Sequence, residues 1–328
     1  MAGVEEAARA PRLPHDAWRP VETAFWLLPV AAFFAFPTGL VLGSQVLITG
    51  LFALTLDMIL GYAGIVSLGH AAFFGAGAYA AGLLAAHGWG EPLSGLAAAA
   101  AAAGVLGYAA SFLVVRGTDL TRLMVTLGIG LMLWEGANRA ASVTGGVDGL
   151  GGIAIGKVLG LWSFDLAGRT AYVYALVVVF LMFVVARRIV SSPFGLSLRG
   201  IRENVHRMPA IGTPVASRLR GIFTVSAAMA GVAGGLLAQT TQFVGLDVLG
   251  FPRSAEILVM LVLGGTGRLY GAFVGAAVFM VAQDYLAGIN PVYWQFWLGI
   301  MLVVIVLSAR GGILGAAEVA WRRWEWRR

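Results

Sequence analysis

Few side chains in this sequence could perform covalent chemistry. The chain has no Cys and a single Lys, Lys157, and its four His (His15, His70, His87 and His206) are scattered, with no pair at metal-ligand spacing. Disulfides and thiolate metal sites are excluded, and neither a catalytic residue nor a metal is expected. The closest approach to a phosphate-cradling loop is GGIAIGKV at Gly151–Val158. It has the glycine spacing and the lysine, but Val158 cannot ligate Mg²⁺ as Ser or Thr would. We read it as a coincidence in a Gly-rich loop. The remaining candidates are polar groups within long apolar runs, which are costly in lipid unless they face protein or a water path. Ser67 and His70 lie in the glycine-rich block GYAGIVSLGHAAFFGAGAYAAGLL at 61–84. Gly61–Gly64 is too flexible for a helix interior, so two helices should meet there at a kink or unwound turn. Backbone groups freed at such a turn can coordinate a polar solute. Tight packing of small residues, with His70 bonded to a neighbouring backbone, explains the same residues without a solute.

Those groups must be carried by membrane helices. Of 328 residues, 59% are hydrophobic and only 12% charged, against about 25% charged in soluble domains. Apolar segments recur near 23–37, 40–60, 65–87, 93–115, 120–138, 170–189, 219–242, 255–266, 271–287 and 293–309. The expected fold is an all-α polytopic membrane bundle of about ten segments, since about 20 apolar residues cross the hydrocarbon core. The pair 255–266 and 271–287 is short and Gly-broken, and reads either as two spans or as a re-entrant hairpin. Residues 1–22 form an N-terminal segment holding Glu5, Glu6 and Asp16 without an apolar signal-peptide core, and 310–328 a basic, Trp-rich tail.

Charge sets the orientation. The 187–220 stretch carries Arg187, Arg188, Arg199, Arg202, Arg207, Arg218 and Arg220 against one acid, Glu203. By the positive-inside rule it is cytoplasmic, and so are both termini if six spans precede it and an even number follows. The net charge of +6 is thus an orientation signal, and no nucleic-acid partner is expected. Glu135 and Arg139 should pair along one helix. Asp57, Gln239, Gln242, Glu256, Gln283 and Asp284 all fall near expected span ends, so no charge is expected at mid-membrane, which argues against a proton-driven carrier.

Two connections are longer than turns require. In the cytoplasmic loop 190–218, Leu198, Ile201 and Val205 fall between Arg199, Arg202 and Glu203, giving a short amphipathic helix from Leu196 that Pro209 and Gly212 end. Such a helix can dock in a groove on a partner protein or lie on anionic lipid. The outer stretch TGGVDGLGGIAIG at 144–156 suits tight turns in which Asp148 bonds its own backbone. Alternatively its Gly145, Gly146 and Asp148 contact an external solute-binding protein, helped by the Gly250–Arg253 turn, which should face the same side.

Three blocks carry a resemblance: 61–84, the segment TLGIGLMLWEGANRAASVTGGVDGLGGI at 126–153, and SPFGLSLRGIRENVHRMPAIGTPVASRLRGIFTVSAAMAGVAGGL at 192–236. Together with LVLGGTGRLYGAFVGA at 261–276, the chain resembles the branched-chain amino-acid permease family of ABC importers, of the LivM type, over roughly 40–315. The resemblance implies a bacterial or archaeal inner-membrane permease subunit that imports branched-chain or other apolar amino acids. It also implies a homologous second permease, two cytoplasmic ATPases that use the ATP, and an extracytoplasmic binding protein. Arg199, Arg202, Glu203 and Gly212 then become the ATPase-coupling residues. Ser67, His70, Thr126 and Thr144 become candidates for the substrate path or its gate. The same fold importing urea or short amides, a stand-alone channel or secondary carrier, and a non-transporting scaffold are the alternatives.

Overall fold

The computed structural model describes residues 20–158, 160–165, 167–308, 311–316 and 318. The N-terminal segment up to 19 and most of the Trp-rich tail, with the roles expected of them, lie outside the described residues. Each expected apolar segment forms a helix: α1 (Pro20–Ala35), α2 (Leu40–Leu60), α3 (Ala71–Ala86), α4 (Pro92–Val114) and α5 (Asp119–Arg139). A single turn, α6 (Ala141–Thr144), precedes α7 (Arg169–Ser191), α8 (Pro193–Glu203) and α9 (Val215–Thr241). The chain continues through α10 (Phe251–Gly264), α11 (Leu269–Ile289) and α12 (Trp294–Ser308). Six of these, α2, α4, α5, α7, α9 and α11, are long and apolar enough to cross a bilayer, so this is a multi-pass membrane protein. Among the described residues the only β pairing is two isolated bridges, Leu150 with Val244 and Val158 with Trp162.

Polar ties gather the helix ends into two levels. At the end that carries α8, Arg187 of α7 pairs with Glu22 of α1 at 3.0 Å. Asp57 of α2 accepts from the Gly267 amide at 2.7 Å, and Arg268 reaches the Gly311 carbonyl and Glu318. At the opposite end, Gln239 donates to the Pro92 carbonyl and accepts from Tyr174, while Gly156 donates to Gly90. Glu91 caps α4 there, and the bonds it accepts from Ser94 hold its carboxyl below the usual range. The start of α1, residues 311–316 and residue 318 therefore lie on the same end as α8, as the count of crossings requires.

Two crossings are broken, and they meet. After α2 the chain turns at Gly61–Gly64, with Gly64 at φ +73°, and climbs back as extended backbone to His70 before α3 begins. This replaces the continuous 65–87 helix expected from the apolar run. Residues 65–70 stay out of the helix because the Ile65 and Leu68 amides are taken by the Ile59 carbonyl and Thr126 Oγ1, and Gly69 lies against the Thr126 carbonyl. From the opposite end, α9 is followed by residues 242–250, which dip into the bundle through a short 3₁₀ turn at Leu246–Leu249. Only then does α10 start. Its 14 residues cover about 21 Å at 1.5 Å per residue, too short for a full crossing. So 255–287 is neither a hairpin nor two whole spans: α10 completes a broken crossing and α11 is a whole one. The two half-length helices touch where the Ala71 amide donates to Ser254 Oγ at 2.9 Å.

Small residues let the central helices approach to backbone contact, the packing mode available when lipid supplies no hydrophobic drive between helices. A Cβ on Gly77 of α3 would strike the backbone of Gly231 in α9, and one on Gly231 would strike Ala99 and Ala103 of α4. Gly264 and Gly275 bring α10 and α11 together in the same way. On the other side, Trp26, Phe180, Phe183 and Phe273 interlock α1, α7 and α11 edge to face. Along helix α5 only Thr126 and Gly130 are buried.

Candidate functional site

Half of the buried polar side chains among the described residues, Thr55, Ser67, His70, Thr126, Ser226 and Ser254, gather at or beside the junction of the two broken crossings. His70 is fully buried and stacks on Phe52 with ring centroids 5.7 Å apart. Its Nε2 lies 2.9 Å from Thr55 Oγ1. The Thr55 hydroxyl donates its one proton to the Phe52 carbonyl, so it must accept from His70, which fixes the neutral Nε2–H tautomer. Ser226 of α9 donates to the Thr55 carbonyl at 2.6 Å. His70 thus ties the start of α3 to α2 beside α9, and the bond goes to a side chain rather than to a backbone group. Ser67 is also fully buried.

Thr126 joins this junction to α5. Its hydroxyl donates to Leu123 O and accepts the Leu68 amide at 3.2 Å. Gly69 is obligatory here, because a Cβ would collide with the Thr126 carbonyl. Thr126→Val is shape-conserving but leaves the Leu68 amide without its acceptor, a loss of about 1–3 kcal/mol. A lower melting temperature of the purified protein is expected, recovered by Thr126→Ser; an unchanged value for the valine variant would contradict this role.

Sequence reasoning misplaced two members of the site, Arg253 in an outer turn and Glu256 at a span end. Arg253 Nη1 bonds Glu256 Oε2 at 2.9 Å, and each side chain is 24% exposed. The apolar pattern puts Glu256 near a span end. It stands instead eight residues before Gly264, about 12 Å into the bundle. From the other side, Gly82 is level with Leu150 and Val244, and Phe74, under the Arg253 guanidinium at 5.9 Å, lies about 12 Å below Gly82 along α3. The pair is therefore at mid-depth, which corrects the expectation that no charge sits there. Pro252 in the first turn after Gly250 is the available signal, since proline at that position marks a helix start.

Of the other expected residues, Thr144 is not at the junction. It lies past the far end of α5, about 20 Å from Thr126 along the helix, where it bonds Ala137, Ala140 and Gly146. There it shares a tight turn with Gly145 and Gly146, both at positive φ. Asp148 is exposed in the next turn, which the Leu150–Val244 bridge ties to residues 242–250. Glu135 and Arg139 form the expected pair at 2.6 Å.

At the other end, Ser192 caps α8, so the helix starts three residues before Leu196 and ends at Glu203, well short of Pro209. Its Leu198 and Ile201 are buried, anchoring it to the bundle. Arg199 lies 5.2 Å from the Tyr62 ring and lines a cavity of about 530 Å³ with Glu22, Arg187 and Arg268. Arg202 turns inward and donates to the Gly61 carbonyl. Glu203 is exposed. Gly212, at φ +80°, ends a 3₁₀ turn at Pro209–Ile211 with open space where a Cβ would go.

Residues 38–306 match the family described as branched-chain amino acid transport system, permease component. The chain belongs to that family. This permease is 29% identical over 289 residues to the high-affinity branched-chain amino acid transport system permease protein LivM of Salmonella typhimurium, covering 80% of this chain and 66% of that relative. It is 28% identical to LivM of Escherichia coli K12 over 319 residues, covering 89% of this chain and 73% of that one. The chain thus spans about two thirds to three quarters of the length of these relatives. The permease protein LivH of the same Escherichia coli strain is 24% identical over 300 residues, covering 86% of this chain and 94% of its own length. No solved structure matches the chain.

Proposed function

We propose that this permease is the membrane-spanning subunit of an ATP-driven importer of branched-chain or other apolar amino acids. It works with a homologous second permease, two cytoplasmic ATPase subunits and a binding protein on the far side, in the inner membrane of its cell. The α8 end faces the cytosol, and ATP chemistry belongs to the partners. One observation carries the coupling: α8 is a short helix anchored by one buried face, with the loop up to Gly212 projecting beside it, and its Arg202 holds the turn that opens the broken crossing. A partner that pulls on α8 therefore pulls on the segment bearing Ser67 and His70. Arg199, Glu203 and the exposed Ile211 form the outward side of this handle. On the opposite end, Asp148, exposed beside the turn made by Gly145 and the buried Gly146, is the surface for the binding protein.

Glu203→Arg combined with Ile211→Asp changes only exposed positions. The ATPase subunits should then fail to co-purify, while helical content and melting stay at wild-type values. Undiminished ATP-driven uptake by this variant would remove the coupling role. A stand-alone secondary carrier is the second reading, because the mid-depth Arg253–Glu256 pair is a group that such a carrier would need. It requires amino-acid flux through the chain in liposomes with no ATPase present, and we expect none.

A further inference from the structure

A charged pair halfway across a membrane cannot face lipid without a large penalty, and such residues face a bundle interior or a water-filled path. Arg253 and Glu256 are at that depth and are each 24% exposed, so by that rule the exposed part of each belongs against a water path or a partner rather than lipid. They are one helical turn apart on one helix, so the ion pair itself ties no two elements together, and the Phe74 ring is the contact Arg253 makes with another helix. Around it the site is asymmetric. The starts of α3 and α10, both with the positive ends of their dipoles at this level, meet at the Ala71–Ser254 bond. Phe74 presents its ring to Arg253, and Leu249 packs on α3 at Gly75. A cation, two helix starts, a carboxylate and an apolar wall are together the complement of a zwitterion with an apolar side chain.

We infer that Arg253 and Glu256 form the station at which a zwitterionic amino acid passes the middle of the membrane. The guanidinium takes the solute's carboxylate and Glu256 takes its ammonium. In the empty state the two side chains satisfy each other, so the station closes itself without exposing a lone charge, and a passing solute exchanges one internal ion pair for two external ones. This rests on the import reading above and adds the chemistry by which the conduit handles its cargo.

The test uses the assembled transporter in proteoliposomes with leucine as the probe. Arg253→Gln and Glu256→Gln should each lower leucine uptake by about tenfold or more, the factor set by losing a hydrogen bond to a charged group. ATP hydrolysis and melting temperature should stay near wild type. Arg253→Lys and Glu256→Asp keep the charges and should recover part of the uptake. Wild-type uptake in both glutamine variants would overturn the station, and so would a loss that tracks subunit dissociation or a lowered melting temperature. Binding of radiolabelled leucine to the reconstituted permease without nucleotide is a measurement independent of import: it should weaken in Arg253→Gln, and equal binding would refute the station. Absent ATP-driven uptake in the wild type, with that binding difference intact, would instead count against the importer reading alone.

Discussion

Arg202→Ala is expected to leave the transporter assembled and hydrolysing ATP while leucine uptake falls by about tenfold or more, the equivalent of the ~1.5–3 kcal/mol carried by a hydrogen bond to a charged group. Arg202 is in the last turn of α8, and its guanidinium donates to the carbonyl of Gly61. Its aliphatic stem also packs over Gly64, where a Cβ would lie 3.2 Å from Arg202 Cγ. From Gly61 the contact continues without a gap. Asp57 fixes the neighbouring 265–268 turn through the Gly267 amide, and Leu68 and Gly69 bear on Thr126 of α5. Movement of α8 is thereby delivered to the two broken crossings and to α5, along which only Thr126 and Gly130 are buried. Contiguity of this kind is a physical route, but energetic coupling has to be measured. The double variant Arg202→Ala with Thr126→Val supplies the measurement. If the two sites belong to one route, the combined loss of uptake is smaller than the product of the single losses. Full uptake in Arg202→Ala would show that α8 drives the bundle by another contact.

Gly231→Leu should have the largest effect on stability. Gly231 is pinned between two helices, Gly77 of α3 on one side and Ala99 and Ala103 of α4 on the other, with carbonyls among the nearest atoms. Side chains can yield to an intruder by changing rotamer, whereas helix backbones must separate. Overpacking commonly costs about 1–3 kcal/mol and more when backbone must move, and here it would part α3, α4 and α9, of which α3 and α9 border the junction. Little folded protein is expected in the membrane fraction, and any that forms should melt well below wild type. Gly136→Ala is the control, because nothing lies within 4 Å of that position. Wild-type melting of Gly231→Leu would mean that the central helices are not in backbone contact.

Much of this architecture is legible because membrane crossings are written in composition over long windows. Helices α2, α4, α5 and α7 fall where the apolar runs place them, and the Arg-rich loop predicts that α8 shares its end with both the first helix and residue 311. The breaks are harder. Gly61–Gly64 announces one, since glycine weakens a helix interior. Residues 242–250, QFVGLDVLG, announce little: they are apolar enough to be buried and short enough to be a connection. Their descent into the bundle depends on Leu249 finding Gly75, a contact that no local pattern encodes. The same limit hides the inward turn of Arg202, whose partner is 141 positions away. It also hides the depth of Arg253 and Glu256, because where a charge lies follows from where its helix begins. Thr144 shows the reverse error: its place among path residues comes from resemblance, and its hydroxyl is spent on closing a turn.

The importer account depends above all on which side of the membrane holds α8. The chain contains no cysteine, so single cysteines can be read in intact cells with a membrane-impermeant maleimide. His206→Cys, in the exposed loop after α8, should be labelled only after the membrane is opened, and then less when the ATPase subunits are bound. Asp148→Cys, on the opposite end, should be labelled from outside the intact cell. Labelling of His206→Cys from outside would put the handle where no ATPase can grip it and would contradict the account.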